Sequence, residues 1–363
     1  LLDHSPAALA IDDAVTVIRE NLDRRRGGFV YAVLRRVAAD GEPPLPDPMS
    51  TPRDYLREAT SLPPWIAKQL LRRFGDKGAV ALARALVERP PLTVRANRVV
   101  TNREALAEAL LAAHPDGRCA PTTLAPDGLV LEGVADPRRT DLHRQGALEV
   151  QDEGSQLIAH LVRPRPGERV LDACAGRGGK TLHLDALAGG EATLVASDLH
   201  AAKLDALTNR AARAGSTPPR TVTADLTEPT DALSRFSPFD RVLVDAPCTG
   251  LGVLRRHPEA KWRLSRKALP ELVGLQERLL DRLADHVKPG GLLVYAVCTV
   301  TAAEGPRQLS GFLERHSDFA GEPPPTDDGI DWDRLRDGES PGLQCLPHRH
   351  GCDGFYMVRL RRR

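Results

Sequence analysis

The sequence predicts an α/β protein whose main domain has a parallel sheet with crossover helices. From residue 151 onward, short apolar runs typical of buried strands alternate with segments of helical periodicity. One of these transitions, from Arg169 to Thr181, combines an apolar run, three closely spaced glycines and the start of a helix. The 363 residues can form two or three domains, and the segments before residue 151 predict helices followed by a small α/β module.

The composition of the chain limits the classes of function. Acidic and basic residues nearly balance, with a formal net charge of +1, so the overall charge does not indicate a nucleic-acid-binding protein. No apolar run approaches the roughly 20 residues that span a bilayer, and no secretory signal pattern is present. The six cysteines are scattered, which favours reduced thiols and a cytoplasmic protein without a membrane partner.

Three parts are predicted along the chain. Residues 1 to about 40 carry apolar residues at helical spacing, and Gly41 to Pro48 has the composition of a linker. We therefore expect a helical segment in 1–44, a helical linker with a small module in 45–148, and the parallel-sheet domain in 149–363. Because the chain begins with Leu rather than Met, it is expected to be a fragment of a longer protein. Nothing in the sequence predicts an obligate oligomer, so a monomer is expected.

The middle part begins with two predicted helices. Thr51 followed by Pro52 and Asp54 is a helix start with an N-cap, a proline at the first position and an acid at the third. A second helix is predicted to begin within Ser61–Trp65. These helices lead into the small module.

The small module is predicted from alternating short elements. Leu92–Arg95 has the pattern of a strand, and Thr101–Ala113 that of a helix with a capping box formed by Thr101 and Glu104. Short strand-like pieces continue to about residue 150. The pattern therefore predicts a compact α/β unit ahead of the main domain.

Acidic residues follow the predicted strands of the main domain. Four apolar runs each end in an aspartate: Val170–Asp172, Leu194–Asp198, Thr221–Asp225 and Val242–Asp245. Ligands of open parallel sheets bind beyond the carboxyl ends of the strands, so these four carboxylates should face one crevice. Asp198 lies where an acid can accept hydrogen bonds from ribose hydroxyls. A fifth strand, Leu292–Val297, is predicted after a helix with one apolar face that carries Leu272, Leu275, Leu279, Leu283 and Val287.

The glycine-rich turn between Asp172 and Thr181 is compatible with three kinds of cofactor site. A nucleotide-triphosphate loop requires a glycine where this chain has Cys174, and a dinucleotide loop requires one where it has Thr181. The third interpretation is a loop for S-adenosylmethionine, in which an acid ends the first strand and glycines pass the amino-acid end of the cofactor. The turn alone leaves the three open. The strand-end acids favour a methyl donor that carries a ribose.

Two cysteines are predicted at the ends of the fourth and fifth strands. Cys248 follows Asp245-Ala-Pro, and Cys298 follows Tyr295-Ala-Val. Carbon 5 of cytosine is a poor nucleophile, but addition of a thiolate to carbon 6 gives it enamine character, so that it can attack a methyl group. One cysteine could attack while the other assists elimination. The base must be exposed for this chemistry, in a single strand or by flipping. The residues alone would favour Cys248 as nucleophile, since a Pro-Cys pair is typical of DNA cytosine methyltransferases.

The sequence resembles the bacterial RsmB-type rRNA cytosine-5 methyltransferases of the wider NSUN-like family. The resemblance covers nearly the whole chain and depends on several motifs: Leu171–Thr181, Asp245–Gly250, Tyr295–Cys298, Gln151–Ser155, Arg255–Trp262 and Asp353–Tyr356. It implies a class I, Rossmann-like methyltransferase domain that depends on S-adenosylmethionine. It also implies an RRM-like module at about 90–148 and a truncated NusB-like helical RNA-binding segment at the start.

The resemblance implies roles for the site residues. Cys298 would be the nucleophile and Cys248 would assist product release, the reverse of the assignment that the Pro-Cys pair suggests. Lys180 and Asp245 would face the cytosine. The residues expected to bind the cofactor are Asp172, Cys174, Ala175, Gly176, Arg177, Gly178, Gly179, Lys180, Asp198, Asp225 and Asp245. The expected substrate is RNA, most of all small-subunit rRNA, and not DNA.

The sequence also departs from the family pattern. Gly176-Arg177 stands where Ala-Pro is common, Val297 where Thr precedes the nucleophile, and Gly305 where Asn follows a glutamate. None of these changes removes a thiol, so an enzyme is expected. The alternative is a non-catalytic RNA-binding or ribosome-assembly factor that retains the fold.

A cluster of possible metal ligands lies near the end of the chain. Cys345, His348, His350 and Cys352 fall within eight residues, but their spacing matches no structural zinc pattern. No metal site is therefore predicted.

Overall fold

The computed structural model describes residues 6–41 and 44–363, which form two compact units divided between Ala59 and Thr60. The first residues of the predicted amino-terminal helix, and Glu42 and Pro43 of the predicted linker, lie outside the described residues.

The first unit is helical. It contains α1 (Ala7–Asn21), α2 (Arg24–Asp40) and α3 (Pro52–Glu58), and α1 packs against α2. Asp23 separates the first two helices, because its carboxylate caps α2 by accepting a hydrogen bond from the backbone N–H of Arg25.

The helix start predicted at Thr51 is correct in position but not in its capping interaction. Thr51 immediately precedes α3, but its side chain makes no capping hydrogen bond to that helix. The Thr51 hydroxyl instead donates to the carbonyl of Asp47 at 3.0 Å. The proline at the first helical position lacks an N–H in any case, which reduces the need for a cap.

The second unit begins with a long helix and the small module. The helix α4 (Pro64–Ala85) contains a break at Gly75, whose φ is 65°. The elements of the module are β1 (Leu92–Ala96), α5 (Arg103–Ala113), β2 (Arg118–Pro121), β3 (Gly128–Glu132), a 3₁₀ turn (Pro137–Arg139), α6 (Asp141–Arg144) and β4 (Leu148–Val150). Its sheet has the antiparallel order β2-β3-β1-β4. This βαββαβ arrangement is the ferredoxin-like topology of RRM modules.

The capping box predicted at Thr101 and Glu104 is wrong. The helix α5 begins two residues after Thr101, and its N-cap is Asn102, whose side-chain oxygen accepts from the backbone N–H of Ala105 at 2.8 Å. Asparagine caps a helix as well as threonine does. The backbone N–H of Thr101 belongs to a preceding turn, in which it donates to the carbonyl of Asn97.

The remaining elements form the main domain. They are α7 (Glu153–Val162), β5 (Arg169–Asp172), α8 (Gly179–Leu187), β6 (Thr193–Asp198), α9 (Ala201–Arg213), β7 (Arg220–Thr223), β8 (Phe239–Asp245), α10 (Ala260–Arg263), α11 (Ala268–Ala284), β9 (Val287–Val297), α12 (Pro306–Arg315), β10 (Phe319–Glu322), β11 (Leu343–Cys345), α13 (Pro347–His350) and β12 (Phe355–Arg362). Two 3₁₀ turns, Leu251–Val253 and Trp332–Leu335, connect some of them.

The strands of the main domain form one mixed sheet in the order β10-β12-β9-β8-β5-β6-β7, with β11 beside β12. The five predicted strands, β5 to β9, are parallel as expected. The strand order reverses between β5 and β8, and in such sheets that point is where ligands bind. The antiparallel strands β10, β11 and β12 were not predicted.

Two predicted element ends need correction. β7 ends at Thr223, so Asp225 lies two residues beyond its strand and does not terminate it. α11 ends at Ala284, and Val287, which was placed on its apolar face, begins β9. Asp172, Asp198 and Asp245 are the last residues of their strands, as predicted.

Helices cover both faces of the sheet. One apolar layer joins the sheet to α11 and α12 through residues such as Leu279, Leu283 and Phe312. The other joins it to α7 and α8, with Leu157, Leu161 and Leu184 fully buried. These layers hold the carboxyl ends of β5, β6, β8 and β9 in a fixed row. In the described part of the chain, no helix has both the length and the apolar character that crossing a membrane requires.

Candidate active site

The glycine-rich turn after β5 is held by backbone hydrogen bonds. The N–H of Ala175 donates to the carbonyl of Ser197 at 2.8 Å, and the N–H of Gly176 donates to the Asp198 carboxylate at 3.1 Å. The turn is thereby attached to the end of the neighbouring strand β6.

Gly178 is the residue of this turn whose glycine is required by packing. It precedes α8 with a φ of 84°, a conformation that side chains disfavour. A Cβ at this position would lie 2.4 Å from Cγ of Leu207 on α9. At Gly176 and Gly179 a Cβ would meet no atom within 4 Å. The turn can therefore pack against α9 on one side and leave its other side open to a ligand.

The predicted cofactor residue Arg177 is exposed at the tip of the turn. Its carbonyl accepts a hydrogen bond from Nη1 of Arg210 at 2.8 Å. Arg210 in turn pairs with the buried Glu149 of β4 at 2.6 Å. The small module thus braces the glycine-rich turn through Arg210, a connection that was not predicted.

A cavity of about 190 Å³ lies beside the turn. Its apolar wall includes Leu226, Leu275 and Leu279, and its polar side includes the predicted residues Asp198 and Asp225. An apolar slot with carboxylates at one side suits a nucleoside, whose ring stacks on the slot while the ribose hydroxyls donate to the acids.

Asp225 contributes a charged carboxylate to this cavity. The hydroxyl and the backbone N–H of Thr227 donate to its carboxylate at 2.6 and 2.9 Å, and they lower the pKa of Asp225. Although it lies beyond the end of β7, Asp225 therefore reaches the crevice for which it was predicted.

A second cavity, of about 370 Å³, adjoins the first, since Cys174 lines both. Six predicted site residues line it from the main domain: Asp172, Cys174, Ala175, Gly179, Lys180 and Asp245. Its opposite side is formed by the small module and the residues that follow it, including Thr93, Val150 and Gln151. The small module is therefore a wall of the site.

Lys180 and Asp245 form an ion pair in this second cavity. The Nζ atom of Lys180, on the first turn of α8, is 2.6 Å from Oδ2 of Asp245 at the end of β8. Burial alone would lower the pKa of Lys180, but the Asp245 carboxylate outweighs that effect and raises the pKa. The ammonium group therefore stays charged beside the cavity.

Asp172 is a buried acid with an unsatisfied oxygen. Burial raises its pKa to about 6, although the Thr181 hydroxyl donates to its Oδ2 at 2.7 Å. Its Oδ1 is buried without a hydrogen-bond partner within the part of the chain that the structure describes. Burial and the nearby Asp172 also raise the pKa of Cys174, so this predicted cofactor residue remains a neutral thiol.

The two predicted cysteines lie together at the ends of β8 and β9. The Sγ atoms of Cys248 and Cys298 are 3.3 Å apart. The contact with Cys298, burial and the nearby Glu304 carboxylate raise the pKa of the Cys248 thiol. Cys298 lies close enough to Lys180 for a negative charge on its sulfur to stabilise the lysine's ammonium form. A thiolate is therefore disfavoured at Cys248.

Sequence reasoning missed a buried ionic cluster at the edge of the second cavity. Arg256 Nη2 lies 3.0 Å from Oδ2 of Asp152, and Arg256 also pairs with Asp353. Arg255 pairs with Asp353 at 2.6 Å. Burial and the neighbouring Asp353 raise the pKa of Asp152 to about 6. The motifs that contain these residues are visible in the sequence, but their partners are not, because the pairs join distant parts of the chain.

The predicted absence of a zinc site concerned Cys345, His348, His350 and Cys352. Both ring nitrogens of His350 contact the backbone, at the N–H of Leu346 and the carbonyl of Arg334. His350 therefore uses both of its ring nitrogens within the fold.

A separate cluster of one acid and two histidines is buried between the small module and the helices α7 and α8. It consists of Asp127, His160 and His183. Oδ2 of Asp127 lies 3.3 Å from Nε2 of His160 and 3.6 Å from Nε2 of His183, and Arg98 contacts Oδ1 at 2.5 Å. Burial and the nearby Arg95 lower the pKa of His183, which keeps this imidazole neutral. The group forms a charged contact between the module and the main domain.

The strand order, the glycine-rich turn after the first parallel strand and the acids at the neighbouring strand ends define a class I methyltransferase that uses S-adenosylmethionine.

Comparisons with known proteins give the family. A family model described as 16S rRNA methyltransferase RsmB/F matches residues 159–361, and one described as the RsmF/B-like ferredoxin-like domain matches residues 62–136. The probable ribosomal RNA small subunit methyltransferase B of Bacillus subtilis is 32% identical over 100% of this chain and 80% of its own length. The corresponding Synechocystis protein is 31% identical, with coverage of 99% and 80%. The chain belongs to the RsmB/F methyltransferase family, as its motifs suggested.

Two solved structures are similar to this chain. The crystal structure of PH0851 has a TM-score of 0.83 and 25% identity, and the match covers 98% of this chain and 78% of that one. The structure of NSun6 from Pyrococcus horikoshii with SFG has a TM-score of 0.73 at 17% identity, covering 83% and 98%, and shows likeness of fold alone. The predicted fold class and cofactor are confirmed, and the helical first unit fits the NusB-like segment.

Proposed function

We propose that this protein transfers a methyl group from S-adenosylmethionine to carbon 5 of a cytosine in RNA, with small-subunit rRNA as the substrate and the cytoplasm as its location. The observation that carries the proposal is the pair of thiols 3.3 Å apart, at the ends of β8 and β9. The Lys180–Asp245 pair lies at the same edge of the sheet, in a cavity that adjoins the nucleoside-sized one. The names of the family and of its relatives support rRNA as the acceptor.

The cofactor is proposed to bind at the carboxyl ends of the parallel strands, beside the glycine-rich turn. Asp198 and Asp225 would accept hydrogen bonds from its ribose, and the apolar slot beside them would hold its adenine. The turn from Asp172 to Lys180, which includes Cys174 to Gly179, would lie along the amino-acid end of the cofactor. Once bound, S-adenosylmethionine supplies an electrophilic methyl group.

Cys298 is proposed as the nucleophile. Its thiolate adds to carbon 6 of cytosine, which forms a C–S bond and leaves carbon 5 as the nucleophilic end of an enamine. Lys180 lies near this sulfur and stabilises its negative charge before the attack. Lys180 and Asp245 also face the cavity in which the base would lie, where they can donate to and accept from its polar edge.

Cys248 is proposed to assist release of the product. After methylation, carbon 5 must lose its proton to a base, so that the double bond re-forms and the Cys298 thiolate leaves. While Cys298 is free, its hydrogen bond and its charge help to raise the pKa of Cys248. Both effects disappear when the Cys298 sulfur is bound to carbon 6. The pKa of Cys248 then falls, so that a larger fraction of it is thiolate and can accept the proton at the step that needs a base.

The proposal is tested with Cys298→Ala and Cys248→Ala variants, rRNA and S-adenosylmethionine labelled in its methyl group. Cys298→Ala should abolish transfer to RNA. Cys248→Ala should accumulate a covalent protein–RNA adduct, visible on a denaturing gel, because release is impaired. Cys119→Ala provides a control, since Cys119 lies on β2 of the small module, outside both cavities.

Three results would contradict parts of the proposal. An adduct that requires Cys248 and survives loss of Cys298 would reverse the two roles. Methylation of a base other than cytosine would refute the specificity. Bisulfite sequencing of rRNA from cells with and without the gene should show a difference at a cytosine. No difference at any cytosine would favour a non-catalytic role in ribosome assembly.

A further inference from the structure

We propose that Glu304 is a positioning residue that sets the relative position of the two thiols and disfavours Cys248 as the nucleophile. This inference rests on the proposed function, because it assigns Glu304 a part in the same reaction. Glu304 lies in the segment between β9 and α12 and is fully buried, whereas both thiols are partly exposed. It must therefore act through the residues that it contacts.

The Glu304 carboxylate is fully buried and accepts five hydrogen bonds. Its Oε1 accepts from the backbone N–H of Thr249 at 2.7 Å and from Nε2 of Gln276 at 3.1 Å. Its Oε2 accepts from the hydroxyls of Thr249, Thr299 and Thr301 at 2.6, 2.9 and 2.8 Å. A buried carboxylate with this many donors is held in a single orientation.

Two of these donors come from the residues directly after the thiols. Thr249 follows Cys248 at the end of β8, and Thr299 follows Cys298 at the end of β9. Their hydroxyl oxygens lie 2.9 Å apart on the same carboxylate oxygen. One side chain thus joins the two segments that carry the cysteines. The carboxylate provides a direct structural reason for the 3.3 Å separation of the sulfur atoms.

The backbone of Glu304 is fixed as well. The hydroxyl of Tyr295, on β9, donates to the Glu304 carbonyl at 2.7 Å. Tyr295 is itself buried in the core of the sheet. The carboxylate is therefore anchored to the rigid strand that leads to Cys298, and not to a mobile surface segment.

The charge of Glu304 also distinguishes the two thiols. Its carboxylate is near Cys248 and disfavours a thiolate there, whereas the ammonium group of Lys180 is near Cys298. The negative charge near one sulfur and the positive charge near the other promote the same division of roles. Geometry and charge then act together, because the carboxylate that positions both thiols also disfavours one of them as the nucleophile.

The substitutions Glu304→Gln and Glu304→Ala separate charge from geometry. The amide oxygen of glutamine can still accept from the Thr249 N–H, and its NH₂ group can donate to the threonine hydroxyls. Glu304→Gln should therefore fold and keep most contacts while losing the charge. Glu304→Ala loses both. Glu314→Gln, at an exposed position on α12, is the matched control.

The first measurements are methyl transfer to RNA and binding of S-adenosylhomocysteine by calorimetry. We expect kcat to fall about tenfold in Glu304→Gln and about 100-fold in Glu304→Ala, since displaced reacting groups cost factors of this size. The dissociation constant of S-adenosylhomocysteine should stay within about twofold of wild type, because Glu304 does not line either cavity. A loss of activity matched by an equal loss of binding would overturn the proposal.

The second measurement needs no RNA. In a Cys298→Ala background, the rate of Cys248 alkylation by iodoacetamide is followed against pH. Adding Glu304→Gln should move its midpoint to lower pH, by on the order of one pH unit, because a nearby negative charge is lost. An unchanged midpoint together with an unchanged kcat in Glu304→Gln would refute the proposal. If the wild type failed to methylate RNA, the alkylation profile would still decide the effect of Glu304 on Cys248.

Discussion

The two ends of the parallel strands in the main sheet use charged side chains in opposite ways. We call the side at which these strands begin the amino edge and the side at which they end the carboxyl edge. At the amino edge of the parallel strands lies a cavity of about 580 Å³, larger than either cavity at the carboxyl edge. Its charged walls are largely matched in ion pairs. Arg241 pairs with Glu168, Lys288 with Asp240, Arg359 and Arg361 with Glu322, and Arg163 with Asp327. Each of these acids already has a partner that stabilises the fold.

The carboxyl edge holds smaller cavities whose charges are only partly matched. Asp172 has a buried oxygen without a partner in the described part of the chain, and its pKa is raised to about 6. Two thiols, a charged lysine and an acid lie at the same edge. The comparison teaches that cavity size does not locate the site here. The amino-edge cavity also has a buried atom that is unsatisfied among the described residues, Nε of Arg359, but that residue already pairs with Glu322. The carboxyl edge differs because it combines an unsatisfied acid with two thiols that can react with a ligand.

The largest expected effect compares one lysine from each edge. Lys180→Met leaves Asp245 without its cation and removes the positive charge near Cys298, so kcat should fall by about 10²–10³-fold. Lys288→Met removes the partner of Asp240 at the amino edge and should leave kcat within about twofold of wild type. Methyl transfer to RNA, measured on both purified variants, tests the comparison. Equal losses in the two variants would remove the distinction between the edges.

The next comparison uses two glycines with positive φ. Gly178, with φ of 84°, precedes α8 at the carboxyl edge, and Gly290, with φ of 73°, lies at the amino edge. A Cβ on Gly178 would lie 2.4 Å from Leu207 Cγ, whereas one on Gly290 would meet nothing within 4 Å.

Gly178→Ala should therefore lower the free energy of unfolding by about 3 kcal/mol, from backbone strain plus overpacking. Gly290→Ala should lower it by only about 1–2 kcal/mol, from strain alone. Urea unfolding of the two variants, followed by circular dichroism, provides the values. A smaller loss in Gly178→Ala than in Gly290→Ala would show that α9 yields to the added methyl group, and that the turn is not held as tightly as its contacts indicate.

Sequence patterns predicted the parallel half of the sheet but not its antiparallel half. Strands β5 to β9 follow from apolar runs, crossover helices and strand-end acids, which are all local signals. β12 pairs antiparallel with β9, and its buried Arg359 is matched by Glu322 on β10. Neither the direction of that pairing nor the partner of the arginine is encoded within the strand itself.

The same limit applies to the candidate site. Lys180, Asp245 and the cysteines belong to compact motifs, so their residue types and spacing are enough to indicate a chemistry. Glu304 was visible only as the glutamate before Gly305, and its role could not be predicted because its partner Thr249 is 55 positions away along the chain. Asp225 was placed at a strand end since the run Thr221–Asp225 has no residue that marks where β7 stops. Long-range contacts and exact strand ends therefore required the folded chain.

The last comparison uses two acids and concerns the pH dependence of stability. The folded pKa of Asp172 is raised to about 6 by burial, while an unfolded aspartate has a pKa of about 3.9. Between these values the folded state binds more protons than the unfolded state, so the stability contributed by Asp172 is present below about pH 4 and is lost as pH rises through about 6. Asp172→Asn removes this loss. Its unfolding free energy should exceed that of wild type by about 2–3 kcal/mol at pH 8 and by little at pH 4.

Asp240 at the amino edge should behave in the opposite way. Burial would raise its pKa, but Lys288 and the backbone of Arg169 outweigh burial and lower it. Its contribution to stability is present above the unfolded pKa and is lost as pH falls, so Asp240→Asn should destabilise the protein by up to about 1 kcal/mol at pH 8. Unfolding by urea at pH 4, 6 and 8 without cofactor measures both variants. Destabilisation of Asp172→Asn at pH 8 would mean that the Asp172 carboxylate at the carboxyl edge stabilises the fold, as Asp240 does at the amino edge. The two edges would then not differ in how their acids affect stability.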